Sequence, residues 1–266
     1  MVTIKEYVRA KSLEEAWQLN QNKRNRILGG MLWIRLENGM VNTAIDLSEL
    51  GLNTIEENEE EFSIGAMVSL RDLEVHEGLN HYTDNAIKNA VKDIVGVQFR
   101  NMATVGGSIW GRFGFSDVLT IFMALDSYVE LYKGGMISIE EFVKRKMDND
   151  ILVRVIVKKS SGKVVYQAMR NQSTDFPVLT CAVSHINGVY KAVIGARPGK
   201  AVSCYDEEKH LASEVTEETI KLFAEDVAKS VSTHSNVRGS KEYRTHLIKV
   251  FVQRGLMEIG GCVDGN

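Results

Sequence analysis

The sequence has 266 residues, of which 44% are hydrophobic and 25% are charged, and its net charge is −3. This composition is typical of a globular protein with an ample core, in one large or two modest domains. Basic residues are not gathered into a block, so nucleic acid is not an expected partner. No apolar run approaches the roughly 20 residues that a membrane helix needs. The first seven residues lack the features of a signal peptide, so we expect a cytoplasmic protein.

The three cysteines are Cys181, Cys204 and Cys262, and they are widely spaced without a C-x-x-C pair. An iron–sulfur cluster normally takes four thiolates and a structural zinc ion takes four ligands. We therefore predict free thiols and no metal site in this chain. The six histidines are scattered, and no catalytic triad can be assembled from them.

The N-terminal part predicts a capped helix followed by a strand that breaks at two glycines. Ser12 with Glu15 forms a capping box, which predicts a helix through about Gln21. Residues 27–34 are apolar around Gly29-Gly30, which fits either a turn approached by a ligand or a β-bulge. Further strands are predicted at residues 41–47, 62–66, 128–132 and 151–157, and further helices at residues 85–94 and 117–125 and after residues 69 and 138.

A second glycine-rich stretch runs from Arg100 to Gly111, with Gly106-Gly107 in its middle. Paired glycines allow a close backbone approach, and exposed N–H groups there could cradle an anion such as a pyrophosphate. The alternative is a simple bend between two buried elements. The stretch is not a Walker loop, because Arg112 and Phe113 follow it, and no G-x-G-x-x-G fingerprint occurs in the chain.

The C-terminal part begins after a polar turn at residues 158–163. Residues 164–170, 178–186 and 189–195 read as strands, and Asn187-Gly188 predicts a tight hairpin. Two amphipathic helices follow, and we expect the tail from residue 260 onward to fray. The order of elements indicates an α+β protein in two lobes.

Three motifs together resemble the FAD-binding subunit of the molybdenum hydroxylases, a family that includes xanthine, carbon monoxide and nicotinate dehydrogenases. They are residues 28–32 (LGGML), residues 100–109 (RNMATVGGSI) and residues 117–119 (DVL), and the similarity continues through residues 174–176, 194–198 and 240–244. The resemblance implies an α+β fold with a two-subdomain FAD-binding module of the PCMH type in residues 1–160, divided into 1–52 and 53–160. A C-terminal domain with an antiparallel sheet plus helices would occupy residues 161–266.

The resemblance also implies a cofactor site. Both glycine loops would donate backbone N–H groups to the FAD pyrophosphate, and Asp117 would accept from a ribose hydroxyl; by itself Asp117 would be a helix N-cap. Val95 and Ile151 or Leu152 would lie near the flavin or adenine rings, and no side chain would act as an acid, base or nucleophile. The residues assigned to FAD in this way are Ile27, Leu28, Gly29, Gly30, Met31, Leu32, Trp33, Ile34, Val95, Ala103, Thr104, Val105, Gly106, Gly107, Ser108, Gly111, Asp117, Ile151 and Leu152.

Some positions depart from the family pattern. Met31 and Leu32 stand where Thr or Asn and then Asp or Glu are usual, and Phe113-Gly114 replaces Ser-Pro. The usual Asn after the second glycine pair is Ser108. A basic residue near the flavin falls at Gln167, with Arg170 as a substitute. These changes indicate a divergent member.

The activity implied is that of a flavoprotein subunit in an oxidoreductase complex. Electrons would come from 2Fe–2S clusters on a small partner subunit, after hydroxylation at a molybdopterin centre on a large one, and pass through FAD to NAD or another acceptor. One alternative is a flavin-free assembly subunit that keeps the fold. Another is a flavin oxidoreductase that works without partner chains.

Overall fold

A computed structural model describes residues 1–260; Cys262 and almost all of the tail expected to fray lie outside the described residues. The chain forms two compact units. The first contains residues 1–73, 96–111 and 127–157, and the second contains residues 74–95, 112–126 and the described residues from 158 onward. Among the described helices, none combines the length and apolar character needed to cross a bilayer.

The chain alternates strands and helices before it reaches its C-terminal sheet. The strands are β1 (Val2–Arg9), β2 (Arg26–Leu28), β3 (Gly39–Asp46), β4 (Ile55–Glu57), β5 (Glu61–Gly65), β6 (Ser127–Leu131), β7 (Gly135–Ser138), β8 (Leu152–Lys158), β9 (Gly162–Arg170), β10 (Pro177–Ile186), β11 (Val189–Gly195) and β12 (Val202–Tyr205). The α-helices are α1 (Leu13–Asn20), α2 (Leu70–Val75), α3 (Glu77–Tyr82), α4 (Ala86–Val91), α5 (Val97–Met102), α6 (Val105–Trp110), α7 (Asp117–Ala124), α8 (Ile139–Lys144), α9 (Glu217–Ser230) and α10 (Lys241–Gly260). A 3-10 turn spans Ile34–Leu36.

The first unit contains two sheets. A parallel sheet has the order β1-β3-β2, and a five-stranded sheet has the order β4-β5-β8-β6-β7. Helix α1 begins at the predicted cap, where the Ser12 hydroxyl accepts from the Glu15 N–H. Its buried Ala16 packs in an apolar cluster with Ile45 and Ile151, among others. This cluster joins α1 to residues of both sheets, and each large side chain buried there contributes about 1.5–3 kcal/mol.

The second unit is built on an antiparallel sheet with the order β12-β11-β10-β9. Helices pack on both of its faces. Thr180 of β10 meets Thr120 of α7, whereas Val183 of β10 lies against Gly255 of α10. Because residues 180 and 183 point to opposite faces of a strand, α7 and α10 cover opposite faces of the sheet. The central strand is buried at its first eight positions for this reason.

The fold class read from the sequence is confirmed: helices and sheets are mixed, with an antiparallel sheet plus helices at the C-terminal end. The hairpin turn is also confirmed, with positive φ at both Asn187 (51°) and Gly188 (78°). All eight residues of α7 are buried, as the apolar run predicted. The elements β1, β4, β7, β12, α3 and α5 were not predicted from the sequence.

Candidate functional site

The first glycine loop follows β2 and turns at Met31, which has a φ of 57°. Within residues 1–260, the N–H groups of Gly30, Met31 and Leu32 donate to no protein acceptor. The loop closes onto the 3-10 turn, where the Arg35 N–H donates to the Met31 carbonyl at 3.1 Å. Successive unengaged N–H groups around a residue with positive φ form a concave site for an anion.

The structure brings the two glycine stretches together in the first unit. A Cβ on Gly30 would lie far inside 3.0 Å of the Met102 carbonyl oxygen, and a Cβ on Gly29 would lie 2.8 Å from the Thr104 Oγ1. The glycines are therefore required by close contact between the first loop and residues 102–104. The Thr104 hydroxyl lies beside the loop that carries the unengaged N–H groups.

The second stretch is not an open loop. Residues 105–110 form α6, and Thr104 is its N-cap, accepting from the Gly107 N–H at 3.1 Å. The N–H groups of Val105 and Gly106 donate to the carbonyls of Val68 and Ala66 at 2.9 and 2.8 Å. The N–H groups of Val105 and Gly106 are thus engaged within the protein, and the assignment of these residues to FAD stays a prediction. These two N–H groups donate to backbone carbonyls in the segment that follows β5, and the local sequence does not reveal this contact.

The remaining members of this stretch are also explained by packing. A Cβ on Gly106 would lie 2.7 Å from the Ala66 carbonyl oxygen, so this glycine permits close helix contact without requiring a positive φ. Ser108 donates from both its N–H and its hydroxyl to the Thr104 carbonyl, at 3.0 and 2.9 Å. Gly111 is the C-cap of α6 and Ala103 is buried just before it begins. Thr104 is thus the member of the stretch with a polar group facing the first loop.

Several predicted residues supply apolar surface. In the first unit, Leu28 is buried at the end of β2, while Trp33 is 41% exposed. Ile151 and Leu152 are 1% and 5% exposed. Ile27 is half-buried and packs against the α1 cluster, and Ile34 opens the 3-10 turn. The buried side chains at the start of β8 thus contribute to the core, and their contact with a ring stays a prediction.

Val95 belongs to the second unit and has an unusual backbone. Its φ is 52° and the residue is 52% exposed. A β-branched residue with positive φ is strained, and such strain is concentrated at functional sites. This geometry is a reason to keep Val95 as a candidate.

Asp117 also belongs to the second unit, where it begins α7. The N-cap of this helix is Ser116, whose hydroxyl accepts from the Leu119 N–H, so the N-cap interpretation of Asp117 is wrong. The Asp117 Oδ1 accepts from the Arg170 Nη2 and from the Tyr166 hydroxyl, both at 2.5 Å. Burial raises the pKa of Asp117 to about 6, although the Arg170 charge and the Tyr166 hydrogen bond oppose this rise.

Sequence reasoning missed this buried network. Tyr166 was not singled out, and Arg170 was considered only as a substitute cation. The available signal was their spacing, because residues four apart on β9 share one face of the strand. Nothing in the sequence indicated that α7 would lie against that face.

The thiols of Cys181 and Cys204 are free, and burial raises the pKa of both.

Comparison with known proteins places this geometry in a family. Residues 2–159 match the FAD binding domain in molybdopterin dehydrogenase, and residues 164–259 match the CO dehydrogenase flavoprotein C-terminal domain. The chain is 28% identical over 277 residues to the nicotine 6-hydroxylase medium subunit of Paenarthrobacter nicotinovorans, covering 96% of each chain. It is 25% identical over 277 residues to the glyceraldehyde dehydrogenase medium chain of Sulfolobus acidocaldarius, covering 95% of this chain and 97% of that one.

Solved structures show the same fold. The carbon monoxide dehydrogenase from Hydrogenophaga pseudoflava superposes with a TM-score of 0.86 at 20% sequence identity, over 98% of both chains. The two matched domains together span almost the whole sequence. The three motifs lie within the first domain, and the similar segments at residues 174–176, 194–198 and 240–244 lie within the second. The chain therefore belongs to the family of FAD-binding flavoprotein subunits of the molybdenum hydroxylases.

Proposed function

We propose that this chain binds FAD with the pyrophosphate on the first glycine loop and serves as the electron-transfer subunit of a heteromeric molybdenum hydroxylase. Electrons would arrive from 2Fe–2S clusters on a small subunit, and a large subunit would carry molybdopterin. NAD or another acceptor would receive them. The names of the relatives, which are medium chains or medium subunits, support an assembly of this kind.

The observation that carries the proposal is the set of main-chain donors at Gly30, Met31 and Leu32. A pyrophosphate carries two negative charges, and hydrogen bonds to charged groups are worth about 1.5–3 kcal/mol each. Because main-chain N–H groups bind it, the side chains of Met31 and Leu32 need not be polar. These departures from the usual family residues therefore remain compatible with FAD binding.

Thr104 adds a side-chain donor beside this loop. Its Oγ1 already accepts from the Gly107 N–H, so the hydroxyl proton remains to donate to a phosphate oxygen. When bound, FAD supplies the redox chemistry, and the protein supplies placement and electrostatics. No acid, base or nucleophile is assigned to this chain.

Other assignments stay proposals. Asp117 is proposed to contact a ribose hydroxyl, and Val95 with Ile151 or Leu152 is proposed to lie near a ring. The domain boundary after residue 160 and a cytoplasmic location are likewise proposed from the sequence.

The test is a titration of the purified chain with FAD, monitored through the quenching of flavin fluorescence and through the flavin absorbance band. Saturable binding of one FAD per chain is expected. A chain that takes up no FAD but co-purifies with large and small partners would instead identify the flavin-free assembly subunit. Metal and flavin analysis of the complex purified from the native host tests the partners, and turnover without partner chains would contradict the electron-transfer role.

A further inference from the structure

Two side chains hold the Asp117 carboxylate, and neither of them takes part in the proposed contact with a ribose hydroxyl. Its side chain is 6% exposed, and that of Arg170 is 8% exposed. The Arg170 Nη2 and the Tyr166 hydroxyl both lie 2.5 Å from the Asp117 Oδ1. A charged carboxylate this deeply buried is stable only with such partners.

Arg170 is itself fixed at a second point. Its Nη1 donates to the Asp175 carbonyl at 2.6 Å, so both ends of the guanidinium fork are engaged. Tyr166 is buried in the middle of β9, where its register partner is Ala182 of β10. Both donors therefore come from rigid positions on one sheet, and both meet the same carboxylate oxygen.

We propose that Tyr166 and Arg170 are positioning residues that orient the Asp117 carboxylate for contact with a sugar hydroxyl of the bound dinucleotide. Since both donors use Oδ1, Oδ2 is the oxygen that neither of them uses, and the two hydrogen bonds prevent rotation of the carboxylate plane. This inference rests on the proposed function, because it assumes that FAD is the ligand.

The first measurement is the FAD dissociation constant of Tyr166→Phe at pH 7.5. Phenylalanine keeps the ring in the core and removes only the hydroxyl that orients Asp117. The proposed contact of the carboxylate with the sugar hydroxyl should weaken, and an increase of about tenfold corresponds to the loss of one hydrogen bond to a charged group. Tyr190→Phe is the matched control, because Tyr190 lies on β11 of the same sheet and stacks on His185. Its dissociation constant should equal that of the wild type.

The second measurement is the pH dependence of FAD binding. If Tyr166 only stabilised the fold, its replacement would not change the pH at which affinity falls. The groups that face the carboxyl are Arg170 and Tyr166, and the Cys181 thiol lies near Tyr166. Affinity should fall as the pH drops through the Asp117 pKa of about 6. Tyr166→Phe should move this inflection to higher pH, because it removes a hydrogen bond that favours the charged form.

The third measurement is a double-mutant cycle with Asp117→Asn. This variant should show no inflection near pH 6, and adding Tyr166→Phe to it should change FAD affinity less than twofold. Circular dichroism and thermal midpoints confirm that each variant is folded. A Tyr166→Phe variant with unchanged affinity and an unchanged inflection overturns the inference, and so does a full effect of Tyr166→Phe in the Asp117→Asn background.

The two proposals fail in different ways. If Gly30→Ala weakens FAD binding and Tyr166→Phe does not, only the positioning role is lost. If Gly30→Ala binds FAD as tightly as the wild type, the pyrophosphate assignment is lost whatever Tyr166→Phe does. A wild-type chain that takes up no FAD overturns both.

Discussion

Gly30 lies where the first loop passes the carbonyl of Met102, and its replacement by alanine tests the pyrophosphate site. An alanine Cβ would stand far inside 3.0 Å of that oxygen and 3.1 Å from the Ala103 nitrogen. Both neighbours are backbone atoms, which cannot rotate away as a side chain can. The loop itself must move, and the N–H groups of Gly30, Met31 and Leu32 move with it.

Two effects follow from this displacement. Overpacking typically costs about 1–3 kcal/mol, so the free energy of unfolding of the apo chain should fall by about that amount. Loss of one hydrogen bond to a charged phosphate costs about 1.5–3 kcal/mol, which corresponds to a dissociation constant for FAD raised roughly tenfold to a hundredfold or more. Urea unfolding measures the first quantity, and quenching of flavin fluorescence measures the second.

Two variants separate these effects. Gly96→Ala introduces a Cβ whose only neighbour within 4 Å is the Gln98 Oε1 at 3.7 Å, so it causes no clash. Because Gly96 is the N-cap of α5, a loss of stability below about 1 kcal/mol is expected, and FAD affinity should stay near wild type. Gly65→Ala clashes with the Leu52 carbonyl at the end of β5, so it should lower stability without displacing the first loop. FAD affinity in Gly30→Ala equal to that in Gly65→Ala would refute the reasoning.

Three further changes have defined outcomes. Thr104→Val should raise the FAD dissociation constant about tenfold by removing the hydroxyl donor, while Thr104→Ser stays near wild type, and fluorescence titration that finds the two variants equal would contradict the role of the hydroxyl. Because the Asp117 pKa is raised in the folded state, its stabilising contribution is complete below the unfolded value of 3.8 and is lost as the pH rises through about 6. Between pH 4 and pH 7, the free energy of unfolding of the wild type, measured in urea, should therefore fall by up to about 3 kcal/mol relative to that of Asp117→Asn. A rise over this range would contradict the raised pKa of Asp117. Gly188→Ala should cost about 1–2 kcal/mol in the same assay because residue 188 has a φ of 78°, and an unchanged unfolding midpoint would show that the hairpin turn rearranges freely.

Local chemistry predicted those elements whose determinants lie within a few residues. The Ser12 and Ser138 caps, the Asn187-Gly188 turn and the apolar helix α7 are each specified by short sequence patterns, and the structure contains all four. The parallel pairing of β1 with β3 joins residues more than thirty positions apart. No local pattern specifies that pairing, which is why β1 was not assigned.

The second glycine stretch shows how a correct motif can be given the wrong local structure. Gly106-Gly107 suggests a loop because two adjacent glycines disfavour a helix by about 1 kcal/mol each. The structure nevertheless has a helix there, since the Thr104 cap and the contact of Gly106 with Ala66 offset that cost. The paired glycines predicted a close approach to the backbone, and at Gly106 the group that approaches is the Ala66 carbonyl of the protein itself.

A site formed by main-chain donors is hard to identify by residue type and tolerant of substitution. The N–H groups of the first loop are present whatever side chains stand at positions 31 and 32, provided that the backbone can turn. Met31 makes that turn with a φ of 57°, a conformation that costs an ordinary residue about 1–2 kcal/mol. Contacts of Gly29 and Gly30 with residues 102–104 hold the loop in place against this strain. Such a site requires the two glycines and their close neighbours, and it does not require polar side chains at positions 31 and 32.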